Sequence, residues 1–209
     1  MSYEELIHNP DYKEISLVSH TDIKGFIFKE IAVNRGWSYI ARIYQILGVL
    51  VFIIGCFKAL LPFLKLHRTT NLIGLGWGIL FTFTVLIVLH ELIHAGAYQW
   101  VGATNLSFGM EWRKFLFFVQ ADKQVLNYNQ FKIVALAPVI IVGVLSIFGM
   151  VVTYHHQAFY FFLTVFAFHS LFCAGDFGLL CFFQNRSEHE ILTFDSKDEK
   201  KTYFFSKQK

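Results

Sequence analysis

Apolar and polar residues are segregated along this chain into four long apolar runs separated by shorter polar stretches. The runs extend from about Ile40 to Leu64, Leu72 to Tyr98, Ile133 to Tyr154 and Ala158 to Phe183. A helix needs about 20 apolar residues to cross the hydrocarbon core of a bilayer, and each run is long enough. Lipid offers no partner for backbone amides, so such runs are expected as helices that satisfy their own hydrogen bonds. The pattern predicts an all-α membrane protein: four transmembrane helices over residues 39–185, with an N-terminal segment at 1–38 and a tail at 186–209. One short departure from helix is expected between the second and third runs. There Leu106–Met110 and Phe115–Val119 are aromatic-rich stretches flanking Glu111, Trp112, Arg113 and Lys114, the pattern of a β-hairpin lying at the membrane surface.

Composition agrees with a membrane setting. Of 209 residues, 55% are hydrophobic and 16% charged, and 25 are Phe. A soluble domain carries nearer about a quarter charged residues. The net charge of +3 is spread over the loops, so no nucleic-acid partner is expected; the bilayer itself is the first partner. Cys56, Cys173 and Cys181 all lie in apolar runs and read as small buried hydrophobes. Residues 1–36 are polar and of mixed charge, a cytoplasmic lead-in rather than a secretory signal. The charged stretch from Asp195 to Lys209 reads as a solvated, partly disordered end. Lys and Arg cluster in the N-terminal segment, in the second loop (Arg113, Lys114, Lys123, Lys132) and in the tail, and are missing from the third loop around His155 and His156. By the positive-inside rule both termini and the second loop are cytoplasmic.

Chemistry enters with His90-Glu91-Leu92-Ile93-His94, inside the second run. Two histidines four apart share one face of a helix and can reach one Zn²⁺, while the Glu beside the first sits where it can take a proton from water. Glu91 and Asp176 are the only acidic residues within the four runs. A carboxylate at such depth costs on the order of 3 kcal/mol to insert, so each needs a purpose. In the expected topology runs two and four have the same direction, and His90 and Asp176 both lie 18 residues past the start of their run. At about 1.5 Å per residue they reach a similar depth, in the cytoplasmic half of the membrane. The expected metal set is therefore His90, His94 and Asp176, with Glu91 catalytic and Zn²⁺ as cofactor; Gly175 and Gly178 would allow close helix approach. His169, seven residues before Asp176 on the same expected helix face, could stand behind these ligands or replace one. Glu188, His189 and Glu190 follow the fourth run and are a less central set. Gly74, Gly76 and Gly78 read as a helix-packing stripe.

The HELIHA stretch at 90–95, the Phe/Gly-bearing Leu106–Met110, the ALAP at 135–138 and the Gly175-Asp176 pair together resemble the bacterial Putative zincin peptidase family, integral membrane proteins similar in design to site-2 intramembrane metalloproteases. The resemblance covers about residues 70–185. It implies a zinc-dependent, membrane-embedded endopeptidase of the bacterial plasma membrane, acting on membrane-spanning or membrane-adjacent proteins or peptides near the cytoplasmic face. In site-2 proteases the third ligand is the Asp of an Asn-Pro-Asp-Gly stretch. Asp176 takes that place here, with Ala174-Gly175 before it and Phe177 after. A small ion or metal transporter, and a catalytically silent protein that binds a membrane partner, are the alternative readings of the same buried ionisable residues.

Overall fold

The computed structural model describes residues 1–20, 22–33, 35–111 and 116–208. Four helical stretches are long and apolar enough to cross a membrane: Gly36–Leu66, Thr70–Trp100, Tyr128–Val152 and Ala158–Asn185. The first is the single helix α3 (Gly36–Leu66), and the third is α6 (Tyr128–Val152). The second consists of α4 (Thr70–Phe81), a π-helical turn at Thr82–Leu86, and α5 (Ile87–Trp100). The fourth is divided between α7 (Ala158–Phe172) and α8 (Ala174–Asn185). Short helices α1 (Tyr3–His8) and α2 (Ile23–Ala32) precede them. The chain separates into two compact units, one of Met1–Tyr39, Glu91–Ala137 and Gly175–Lys209, the other of Ile40–His90 and Pro138–Ala174.

The second of these units is wholly helical. Its packing uses the small residues of α3 and α4. A Cβ on Gly78 would lie 2.6 Å from Thr164 Cβ, and one on Gly74 would lie 2.4 Å from the Gln157 carbonyl oxygen, so α4 and α7 approach to a distance only glycine allows. Gly48 on α3 likewise leaves room for Ser170. Gly76 has open space around it and takes no part in the stripe. Thr82 and Thr84 each donate their hydroxyl to the carbonyl four residues back, Gly78 and Leu80. These bonds compete with the backbone ladder, and the helix widens to a π turn at that point, one turn before His90. Along α3, Ile43, Ile46, Leu50, Ile53, Phe57, Leu61 and Leu64 form an exposed stripe at spacings of three and four residues. Apolar residues presented outward on this scale suit a lipid solvent rather than water.

The other unit corrects the all-α expectation. It holds a four-stranded antiparallel sheet in the order β1 (Tyr12–Ser19), β6 (Lys201–Lys207), β5 (Ile191–Ser196), β4 (Leu126–Asn127). The N-terminal segment and the tail are paired with each other, from Tyr12 opposite Lys207 to Ser19 opposite Lys201, with a register shift between Glu14 and Ser16. The tail expected to be disordered is thus a β5–β6 hairpin. Side chains alternate across it: Phe204 packs with Val18, Phe182 and Ile191, whereas Phe205 packs with Leu6, Leu192 and Phe194. Between α5 and α6, β2 (Leu106–Glu111) and β3 (Leu116–Ala121) form a separate two-stranded antiparallel sheet. Trp112, Arg113, Lys114 and Phe115, which were read as part of that hairpin, lie outside the described residues.

Candidate metal centre

Helix α5 carries the HExxH residues. His90 and His94 are both buried, at 8% exposure each. Their spacing of four and the helical backbone put both rings on one face, and the donor atoms of His90, Glu91 and His94 lie within 4.8 Å of one another along this helix.

Three elements of the sheet-bearing unit fix Glu91 and His94. His94 Nδ1 lies 3.0 Å from the Val134 carbonyl oxygen on α6. A carbonyl only accepts, so Nδ1 carries a proton, and in the neutral imidazole the lone pair is then on Nε2. Nε2 in turn lies 3.2 Å from Asp176 Oδ1, at the first turn of α8. Glu91 Oε2 accepts a hydrogen bond of 2.8 Å from the Val119 backbone N–H on β3. Ala95, Ala97 and Tyr98 of α5 pack with Val119, Ala121 and Val134 in one buried cluster, which holds α5, β3 and α6 in this arrangement.

The donor set can be tested against Zn²⁺. With Nδ1 protonated, Nε2 and the Asp176 carboxylate oppose lone pair to lone pair at 3.2 Å. Such a pair is favourable when the imidazole takes a second proton or when a cation joins both atoms. Tetrahedral zinc with ligand bonds of about 2.0–2.2 Å separates neighbouring N and O donors by about 3.3 Å, which the observed spacing matches closely. The Nδ1 bond to a backbone carbonyl is also the contact that commonly orients a metal-binding histidine. The residues fit the ion.

In the all-helical unit, His90 meets a different neighbour. His90 Nδ1 lies 3.2 Å from His169 Nε2, and Cys173 Sγ lies 3.6 Å from each nitrogen of the His169 ring. His169 and Asp176, expected on one continuous helix, belong to two consecutive helices. The fourth stretch breaks at Cys173, where the α7 ladder ends, and Asp176 belongs to α8. Sequence reading also passed over Cys173 as a ligand-bearing residue, although His169 and Cys173 have the same i, i+4 spacing as the HExxH histidines. His155 is exposed, and His156 uses Nδ1 to accept the Ala158 N–H. Glu190 faces Lys207 and Tyr12 in the sheet.

The Putative zincin peptidase family matches residues 83–189, from the π turn preceding the HExxH helix through α8. The chain belongs to that family. No curated protein and no solved structure matches it. Family membership points to a metallopeptidase, and every residue of the expected site, from His90 to Asp176, lies inside the matched stretch of this zincin-family chain.

Proposed function

We propose that this chain is a zinc-dependent endopeptidase embedded in the membrane, similar in design to site-2 proteases, cutting membrane-spanning or membrane-adjacent substrates near the cytoplasmic face. His90, His94 and Asp176 hold the ion. The observation that carries the reading is the disposition of His94: Nδ1 tied to the Val134 carbonyl, Nε2 turned toward Asp176 Oδ1. When bound, Zn²⁺ supplies a Lewis acid for the scissile carbonyl and acidifies a coordinated water. Glu91 is the general base that takes the proton of the attacking water and returns it to the departing amine. Val119 N–H holds one oxygen of that carboxylate, so the other is the one presented for proton transfer.

The same contact bears on how substrate is held. Val119 is paired with Phe108 on β2, yet its N–H is directed to Glu91, on the side of β3 away from β2. That edge of β3 therefore faces the catalytic residue. A peptide bond inside a helix is shielded, and a substrate unwound to an extended strand can pair along this edge beside Glu91. The hairpin lies at the cytoplasmic surface in this reading.

The test uses the full chain purified in detergent. About one Zn²⁺ per chain is expected, lost in His90→Ala and His94→Ala. Glu91→Gln should keep the metal and the fold while abolishing cleavage, and should trap uncleaved membrane proteins recoverable by crosslinking and mass spectrometry. Stoichiometric zinc in the double histidine variant would refute the metal site. A Glu91→Gln variant that complements a deletion fully would refute the peptidase.

A further inference from the structure

The all-helical unit contains a second cluster of metal-type donors, which shares His90 with the HExxH motif. His90, His169 and Cys173 have donor atoms within 4.8 Å of one another. All three are buried, at 8%, 0% and 0% exposure. At the end of α7, His169 and Cys173 are four residues apart, and His169 Nε2 lies 3.2 Å from His90 Nδ1. We propose that His90 Nδ1, His169 and Cys173 Sγ form a separate soft-metal site whose occupant is Cu(I).

Geometry supports a first coordination sphere. A d¹⁰ ion with bonds of about 2.0–2.1 Å to nitrogen and 2.3 Å to sulfur separates neighbouring donors by about 3.3 Å for N and N and about 3.5 Å for N and S. The observed values are 3.2 Å for His90 Nδ1 to His169 Nε2 and 3.6 Å for Cys173 Sγ to His169 Nε2. A thiol hydrogen bond would favour one nitrogen of His169, but the sulfur is equidistant from both, at 3.6 Å.

Charge and softness select the ion. Two neutral imidazoles and one thiolate carry a net charge of −1, so a monovalent cation gives a neutral assembly. A divalent cation leaves a buried positive charge among apolar side chains, which is costly. A thiolate with imidazoles is a donor set that suits Cu(I), whereas the carboxylate of Asp176 is a harder ligand better matched to Zn²⁺. The two sites share a residue, and a neutral imidazole has one lone pair. If Nδ1 of His90 binds Cu(I), Nε2 carries the proton and cannot serve the HExxH centre. Copper at this cluster would thus withdraw a zinc ligand, a consequence that rests on the function proposed above.

The experiment is an anaerobic titration of the purified full chain with Cu(I) against a chromophoric Cu(I) chelator. One equivalent should bind in the wild type and in Cys56→Ser/Cys181→Ser. Cys173→Ser and His169→Asn should each weaken binding by at least about tenfold while retaining the wild-type melting temperature within a few degrees. The site falls if the wild type binds no Cu(I), or if Cys173→Ser binds it as tightly as wild type. Zinc content is read separately on the same samples. Copper loading should lower it in the wild type and leave it unchanged in Cys173→Ser. Copper bound through Cys173 with zinc undisturbed would overturn the competition for His90 alone. A preparation that holds no zinc even before copper is added would overturn the proposed function, with the copper titration still reporting on the cluster.

Discussion

Replacing Arg186 by Ala removes the partner of a buried carboxylate that ties α2 to the end of α8. Glu30 is 3% exposed. Its two oxygens accept from Arg186 Nη2 at 3.1 Å and Nη1 at 3.0 Å, and Asn185 Nδ2 adds a third bond at 2.8 Å. The guanidinium also lies 3.9 Å from the centre of the Phe182 ring. Breaking one side of a fully buried pair costs about 3–5 kcal/mol, because the remaining charge is left without compensation. The Arg186 side chain is 35% exposed, so water can partly replace it and the expected loss is about 2 kcal/mol. For a chain of this size that lowers the melting temperature by about 4–8 °C. Burial pushes the Glu30 carboxyl up, but the hydrogen bonds from Arg186 and Asn185 and the Arg186 charge outweigh it and hold the group below its ordinary value. A depressed carboxylate stabilises the folded state above its unfolded pKa, and that stability is lost as pH falls through the folded value. The gap between wild type and Arg186→Ala should therefore be constant from about pH 6 to 8 and narrow below about pH 4.5. Thermal unfolding of the purified chain in detergent measures both. Glu30→Gln/Arg186→Met should recover much of the loss, since it removes the desolvated charges together. An Arg186→Ala protein within about 0.5 kcal/mol of wild type, or a gap unchanged down to pH 4, would refute the reasoning.

Two further outcomes follow from the same elements. Gly178→Ala places a Cβ 2.5 Å from Ile27 Cγ2 and 3.0 Å from Ile27 Cβ, so α2 and α8 must separate. Overpacking costs about 1–3 kcal/mol against a helix-propensity gain of about 1 kcal/mol, so a net loss is expected in thermal melts, relieved by Ile27→Ala. Asp176→Ala should lower zinc content by elemental analysis far more than His169→Ala, because Asp176 faces His94 Nε2 whereas His169 faces His90 Nδ1. The reverse ranking would transfer the third ligand to His169.

The parts of this molecule that were legible in its sequence are those whose signal is local. An apolar run of more than 20 residues can be satisfied in lipid only as helix, and the observed spans extend the expected ones by a few residues at most of their ends. The spacing of His90 and His94 is a property of one helix, and the cost of a lone carboxylate in an apolar run singled out Asp176 without any partner in view. The sheet was illegible because its signal is not local. β1 finds its partner β6 at the opposite end of the chain, and β5, lying between two neighbours, has buried residues at Ile191, Leu192, Thr193 and Phe194 with no alternation to betray it. Lys201 and Lys207 at the two ends of β6 made the tail look solvated, although Phe204 and Phe205 between them are buried on opposite faces. The break at Cys173 carries no proline, and its N–H still bonds the His169 carbonyl, so composition alone continues the helix through it. The candidate site shows the same division. Three of its four side chains belong to a motif five residues long, but the atoms that orient two of them are the N–H of Val119 and the carbonyl of Val134, 28 residues from Glu91 and 40 from His94. A backbone group is contributed by any residue that keeps the strand or helix in place. The proton position on His94 is therefore set by a residue whose identity carries no trace of the task, and only the fold can assign it.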